Sequence, residues 1–409
     1  MGITISYMGT KRKLGPVVKR VLHNLPDGPI LDAFAGMSAI GQAVSTDRPI
    51  WVNDVQPFPA SAGRFLFCSK SCHLNSVEAL RILASFFSRN MKFIKRKYPD
   101  FLELEDKYLE SKSLVSIIAG NIKLPYVGNS AKLERIRSKH AMEKGAFPYE
   151  MATITYAGSF FGARQCMEID SLRYAIDQAL LRGLIDLEQK MGIMVALGQA
   201  MSRVNNSTGH FAQFLKPSQN NIELIINKRR KSVLNEFLLA LDSISPIGNK
   251  NWRKQNKAFC SDAIPLLKKI SSQKVRPMII YADPPYSDAQ YSRYYHVLDQ
   301  ILGYNYAKVT GLGRYPEGRF QSGFAQSGKV SECMTILAGL ASIMGVHFLL
   351  SYPDNGLYCQ KGGDIFKLLR TSFRHVNIIH TENTRHSAFG GPHAKPTVNV
   401  LERIYHAHN

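Results

Sequence analysis

Cysteine is scarce, with six scattered through 409 residues, so no disulfide framework is expected and reduced thiols fit an intracellular setting. Cys68 and Cys72 stand close together beside His73, but no second ligand pair follows at zinc-site spacing, and no metal centre is expected. Long apolar runs are missing as well. The stretches 278–282 and 347–352 are too short to cross a bilayer, so no membrane span is expected. Lys11, Arg12 and Lys13 follow a short mixed segment with no apolar run behind them, which reads against a secretory signal. No internal repeat or low-complexity tract is evident, which excludes a solenoid. Acidic residues are the last shortage: 31 Asp and Glu face 52 Lys and Arg, a formal net charge of +21.

A field of that sign attracts polyanions. Basic clusters recur at 11–13, 92–97, 228–231 and 253–257, with Phe93, Tyr98 and Trp252 interleaved. Any one cluster has a plain reading as a solvated face, but their repetition makes nucleic acid the preferred partner.

The two ends of the chain alternate between strand-like and helix-like segments. Short apolar runs at 29–34, 49–54, 278–282, 346–351, 376–380 and 398–405 read as buried strands of a mostly parallel sheet. Helices are predicted at 13–22 and 330–344, and the alternation predicts a doubly wound α/β fold. From 64 to 256 the strand signals fade, and helices are predicted at 76–95, 171–190 and 232–241. The expected organisation is a discontinuous catalytic domain, 1–63 and 257–409, interrupted by a largely helical insertion, 64–256.

Two segments carry chemistry. Asp32-Ala33-Phe34-Ala35-Gly36-Met37-Ser38-Ala39-Ile40-Gly41 follows the first strand, and its small residues let the backbone turn tightly toward a ligand. Asp54 ends the next strand, where a carboxylate can accept hydrogen bonds from ribose hydroxyls. The second segment is Asp283-Pro284-Pro285-Tyr286. Consecutive prolines remove two donors and leave rigid carbonyls beside a carboxylate and an aromatic ring. Acceptors at Asp283 and the Pro284 carbonyl suit an exocyclic amine, whose lone pair must be freed from its ring. Tyr286 suits stacking on a base taken out of a duplex. The competing reading is a Pro-Pro turn with a surface tyrosine.

The chain resembles the Dam-type, D12-class adenine-specific DNA methyltransferases, in which a glycine loop precedes the Asp-Pro-Pro-Tyr tetrad. The likeness starts at Tyr7-Met8-Gly9-Thr10-Lys11-Arg12-Lys13-Leu14 and runs through 32–41, Asn53-Asp54 and Phe259-Cys260-Ser261-Asp262 to the tetrad. Gln290-Tyr291-Ser292-Arg293-Tyr294-Tyr295-His296, Phe161-Gly162-Ala163-Arg164-Gln165, Ile169-Asp170-Ser171-Leu172-Arg173 and the stretch 205–215 resemble one branch of that class. The glycine loop departs from the commoner Phe-x-Gly-Ser-Gly by placing Met37 and Ser38 after Gly36.

The resemblance implies an S-adenosyl-L-methionine-dependent methyltransferase sheet with an inserted target-recognition domain, acting on the N6 of a flipped adenine in duplex DNA. It implies a bacterial or phage-encoded cytoplasmic enzyme at the nucleoid, and leaves open whether a cognate restriction endonuclease is a partner. Catalysis would fall to Asp283, Pro284, Pro285 and Tyr286, and cofactor binding to Tyr7, Lys11, Asp32, Phe34, Ala35, Gly36, Asp54, Asp262 and Asp283. Lys11 reads equally as a phosphate contact, and Asp262 as the cap of a helix from Ala263. Candidate DNA contacts are Lys228, Arg229, Arg230, Arg293, Tyr294, Tyr295, Arg385, His386 and Lys395. Arg293, Tyr294 and Tyr295 either line the mouth where a base enters or sit on a helix packed inward. The stretch 383–395 either clamps the DNA backbone or merely connects two strands. His210 is not expected to act as a base, because amine methylation needs positioning more than prior deprotonation.

Overall fold

Strands β1 (Ile30–Asp32) and β2 (Ile50–Asp54) are buried at every position, as strands covered on both faces must be. Strand β3 (Lys257–Cys260) is only half-buried, while β4 (Ile279–Ala282) is again buried throughout. Then come β5 (His347–Pro353), β6 (His375–His386) and β7 (Val398–His408). These elements belong to a computed structural model that describes residues 14–111, 113–122, 130–143, 145–386 and 398–409.

The seven strands form one sheet in the order β3-β2-β1-β4-β5-β7-β6. Strands β1 to β5 run parallel, with Ile30 opposite both Ile50 and Ile279. β7 runs antiparallel between β5 and β6. Leu31, Ile280, Phe348 and Leu350 from the sheet pack with Leu266, Leu267, Leu337 and Leu369 from the covering helices. Strand β3 has no clear sequence signal because it is a short, half-exposed edge that begins with a lysine, Lys257 Nζ lying 3.9 Å over the Trp51 ring.

The chain divides into two compact units. The sheet unit runs up to Lys70 and takes in Pro246–Ser292 and everything from Phe320. The helical unit holds Ser71–Ser245 and Arg293–Arg319. These bounds differ from 63/64 and 256/257 for identifiable reasons. Helix Pro57–Cys68 packs on β2 and β3. Arg253 Nε donates to Ser69 O at 2.6 Å, and Asn256 Oδ1 accepts from Ile50 N at 2.8 Å. Both ends of the expected insertion therefore belong to the sheet.

In the helical unit, helix Ala163–Leu181 is buried almost all round and packs against Ser76–Lys97. The helix predicted over 171–190 is two: Gly183 turns the chain at φ +67°, and Asp186 caps helix Leu187–Val204 by accepting from Gln189 N at 2.8 Å. Three buried carboxylates satisfy the free N–H groups of helix starts elsewhere in the unit. Glu105 accepts from Ala163 N and Arg164 N, both at 2.8 Å. Glu168 accepts from Val233 N at 2.5 Å, at the start of helix Val233–Ser243. Asp170 accepts from Ala152 N, Thr153 N and Thr153 Oγ1 at 2.7, 2.8 and 2.7 Å, and from Tyr304 Oη at 2.5 Å. Among the described residues, no helix is long and apolar enough to cross a membrane.

Asp170→Ala leaves those donors unmet in the interior and should cost about 3 kcal/mol of the helical unit's stability. Urea unfolding followed by circular dichroism measures this; a loss under about 1 kcal/mol would mean that solvent replaces the carboxylate.

Candidate active site

The parallel ladder continues past the strand ends. Ala33 N donates to Tyr281 O at 2.9 Å, Ala35 N to Asn53 O at 2.8 Å, and Ser261 N to Asp54 O at 3.2 Å. The turns after β1 to β4 are thus set side by side along the carboxyl edge of the sheet. β2 and β3 lie on one side of β1, and β4 lies on the other. The chain parts between β1 and β4, and a crevice opens there, as such reversals produce in doubly wound sheets.

The turn after β1 needs left-handed backbone at Gly36, φ +50°, and again at Ser38, φ +59°. Asp54 holds it in place: Oδ2 accepts from Gly36 N at 2.9 Å and Oδ1 from Gln56 N at 2.8 Å. One carboxylate therefore joins the β1 turn to the start of helix Pro57–Cys68. Asn53 Nδ2 adds bonds of 3.0 Å to both Ala33 O and Ser261 O, linking three turns.

An open cleft lies over this edge. Asp32, Phe34, Ala35, Asp54, Asp262 and Asp283 all line it. Asp262 occupies the cap position of helix Ala263–Ser271 but makes no side-chain cap bond, so the capping reading is not the one the structure adopts. Asp32 is 3% exposed, and its Oδ1 has no hydrogen-bond partner among the described residues. Burial raises the Asp32 pKa well above the ordinary carboxylate range, and the Asp283 and Asp54 charges add to this against the Phe34 N–H. Gly36 turns the loop, while Pro284 is buried and Pro285 lines the cleft. Tyr286 packs partly buried on the sheet core, its carbonyl accepting from Leu357 N at 2.7 Å.

The candidate DNA contacts fall into different settings. Tyr294 and Tyr295 are 6% and 1% exposed, and the Tyr294 ring meets His210 edge-on at 4.7 Å. Of their two readings, inward packing is the one adopted; they offer no surface to a base. Arg229 is also buried, donating to Tyr108 Oη at 2.8 Å, so it serves the interior of the helical unit. Lys228 Nζ donates to Arg203 O at 2.8 Å, whereas Arg230 is exposed and Arg293 half-exposed. Arg385 and His386 end β6, where only the backbone is described. Tyr7, Lys11 and Lys395 lie outside the described residues. Burial lowers the His210 pKa, so it is neutral at neutral pH. Among the described residues no three His, Cys, Asp or Glu are grouped to hold a metal.

The cleft also includes residues that the sequence reading did not select: Asn53, Gln56, Gln290, Tyr291, Phe320 and Ser322. Gln290 and Tyr291 stand in a segment noted for its family likeness. Phe320 and Ser322 carry no sequence signal, since only the fold brings them beside the tetrad.

No protein-family model matches the chain. It is similar to modification methylase StsI of Streptococcus sanguinis, 22% identical over 405 residues, covering 98% of this chain and 51% of that protein. It is similar to type II methyltransferase M.FokI of Planomicrobium okeanokoites, 28% identical over 205 residues, covering 49% of this chain and 28% of that one. Modification methylase LlaI of Lactococcus lactis subsp. lactis is 22% identical over 354 residues, covering 86% of this chain and 46% of its own. The chain thus spans about half or less of the length of these curated relatives. The mixed, mostly parallel sheet is consistent with an α/β methyltransferase fold.

Because the folded pKa of Asp32 is raised, its ionised form is the one that folding disfavours. The penalty vanishes where the carboxyl is protonated in both states and grows as pH rises through and above the ordinary carboxylate range. Asp32→Asn should therefore melt higher than wild type at neutral pH, with the gain shrinking toward about pH 4. Thermal melts across that range check it; a lower melting temperature at neutral pH would contradict the assigned sign.

Proposed function

We propose that the chain is the methyl-transferring part of a site-specific DNA modification enzyme, which moves a methyl group from S-adenosylmethionine to the N6 amine of adenine. The observation that carries this reading is the Asp283-Pro284-Pro285-Tyr286 turn at the parting of the sheet, with Asp283 lining the same cleft as Asp32, whose Oδ1 has no partner among the described residues. The likeness to modification methylases supports it.

The cleft fits the cofactor chemically. Asp32, Asp54, Asp262 and Asp283 present carboxylates where a cationic ligand would be favoured, and the unmet Asp32 Oδ1 is an acceptor waiting for a donor. In this reading Asp32, Phe34, Ala35, Gly36, Asp54 and Asp262 hold the cofactor, with Tyr7 and Lys11 as further candidates. S-adenosylmethionine supplies a methyl group on a positively charged sulfur.

The chain's own groups prepare the acceptor. Asp283 and the Pro284 carbonyl accept the two N–H bonds of the exocyclic amine and favour a pyramidal nitrogen whose lone pair is free to attack. The amine proton leaves only after nitrogen has gained the methyl, so no strong base is needed beforehand, and the Asp283 carboxylate is placed to receive it. Positioning and electrostatics then provide most of the rate. Tyr286 offers a ring for a flipped adenine. Exposed Lys92, Lys95, Arg96 and Arg230 on the helical unit are the side chains suited to phosphate contact. The helical unit is accordingly the proposed reader of the target sequence. A cytoplasmic setting at the nucleoid follows from the same reading.

Incubation with labelled S-adenosylmethionine and unmethylated duplex DNA, then nucleoside analysis, should give N6-methyladenine. Asp283→Ala should lower turnover by about 10^2- to 10^3-fold while donor affinity changes far less. Label in 4-methylcytosine or in RNA would overturn the acceptor assignment, and full activity of Asp283→Ala would overturn the site. Donor affinity should also weaken as pH falls, since protonating Asp32 removes a charge that favours the cation.

A further inference from the structure

Resting on methyl transfer as the reaction, the structure also separates the two sides of the cleft. Asp54 and Asp262 stand at the ends of β2 and β3, and Asp32 at the end of β1. Beyond β4, Asp283 is followed in the lining by the uncharged Pro285, Tyr291, Phe320 and Ser322. A cation is favoured on the first side and a flat, neutral ring on the second.

The wall on that second side is not part of any sheet ladder. Residues 320–322 have no regular structure, and Gly323–Ala325 make a single 3-10 turn. Side chains just after the tetrad hold the wall instead. Gln290 Nε2 donates to Ser322 O and Ala325 O, both at 3.2 Å, while its Oε1 accepts from Ser322 N at 2.7 Å. Ser292 Oγ donates to Phe320 O at 2.8 Å. The far face is equally constrained: a Cβ at Gly323 would lie 2.6 Å from Cys333 Sγ, so the chain there packs against helix Val330–Ile343. Phe324 meets Phe34 edge-on at 5.3 Å, which ties the same segment to the turn after β1.

We propose that Gln290 is a positioning residue, which holds 320–325 as the acceptor-side wall of the cleft so that Phe320 contacts the target base. One amide uses both of its hydrogens and its oxygen on this segment, and no neighbouring ladder duplicates them. A change at Gln290 thus moves Phe320 and Ser322 without touching Asp32, Asp54 or Asp262.

The test compares Gln290→Ala, the near-isosteric Gln290→Glu, and Phe320→Ala with wild type, measuring donor affinity by calorimetry and steady-state methylation of duplex DNA. Glu keeps the acceptor for Ser322 N but sets a carboxylate oxygen against two carbonyls, so shape alone does not rescue it. Both Gln290 variants should lose at least about tenfold in kcat/KM for DNA while donor affinity stays within about threefold. Phe320→Ala should act mainly on KM for DNA. Wild-type kcat/KM in Gln290→Glu overturns the positioning role. So does a parallel loss of donor affinity and turnover, which marks a general loss of structure. A wild-type enzyme that methylates no nucleic acid overturns the functional reading itself, a failure visible before any variant is made.

Discussion

The parting of the chain between β1 and β4 is the constraint on which the cleft depends. Every parallel strand delivers its following turn to the same edge, and only where neighbouring connections leave in opposite directions is that edge uncovered. Asp32 and Asp283 sit on the two sides of that gap, while Asp54 and Asp262 come from the next two strands out. Folding thereby gathers carboxylates that repel one another, and burial of Asp32 makes the repulsion more costly. A sheet selected for stability alone would not place an unpartnered carboxylate oxygen there. Asp54 offsets part of the cost by spending both oxygens on the backbone of the adjoining turns.

The helical unit solves a different problem with the same side chains. Three of its helix starts, at Met151, Ala163 and Val233, lie buried, so their free N–H groups need acceptors from within. Glu105, Glu168 and Asp170 supply them, each from a neighbouring helix. This gives a physical account of the segments 161–165 and 169–173. Gln165 Nε2 donates to Lys228 O and Lys231 O, and Arg173 Nε to Ile301 O, so these side chains serve as framework. Basic residues are drawn inward too. Arg229 is buried against the Tyr108 phenol, as Arg253 of the sheet unit is against the Ser69 carbonyl, so neither guanidinium is presented to a phosphate.

Strands β1, β2, β4 and β5 were legible because a fully buried strand must be a short apolar run ended by a polar turn. The edge strand β3 escapes that rule, as none of its four residues is fully buried and it begins with Lys257. The run 171–190 keeps helical periodicity across Arg182 and Gly183, so pattern alone does not reveal the turn that a left-handed glycine makes. Asp32, Asp54 and Asp283 were readable from their positions after strands, and Asp262 from the family resemblance. Phe320 and Ser322 were not, because their place comes from side-chain bonds to Gln290 and Ser292 some thirty residues earlier. Tyr294 and Tyr295 mark the opposite limit: aromatic residues just after the Asp-Pro-Pro-Tyr tetrad suggest a mouth, yet both are buried, with the Tyr294 ring against His210.

The path of the chain gives the acceptor-side wall a further significance. It leaves the sheet unit after Ser292 and returns at Phe320, spending Arg293–Arg319 in the helical unit. The last residue before departure donates to the carbonyl of the first residue on return. Both covalent links to that excursion therefore join the cleft at residues that line it. A segment fixed at both ends in this way cannot shift its register without altering the Ser292–Phe320 bond or the Gln290 bonds beside it.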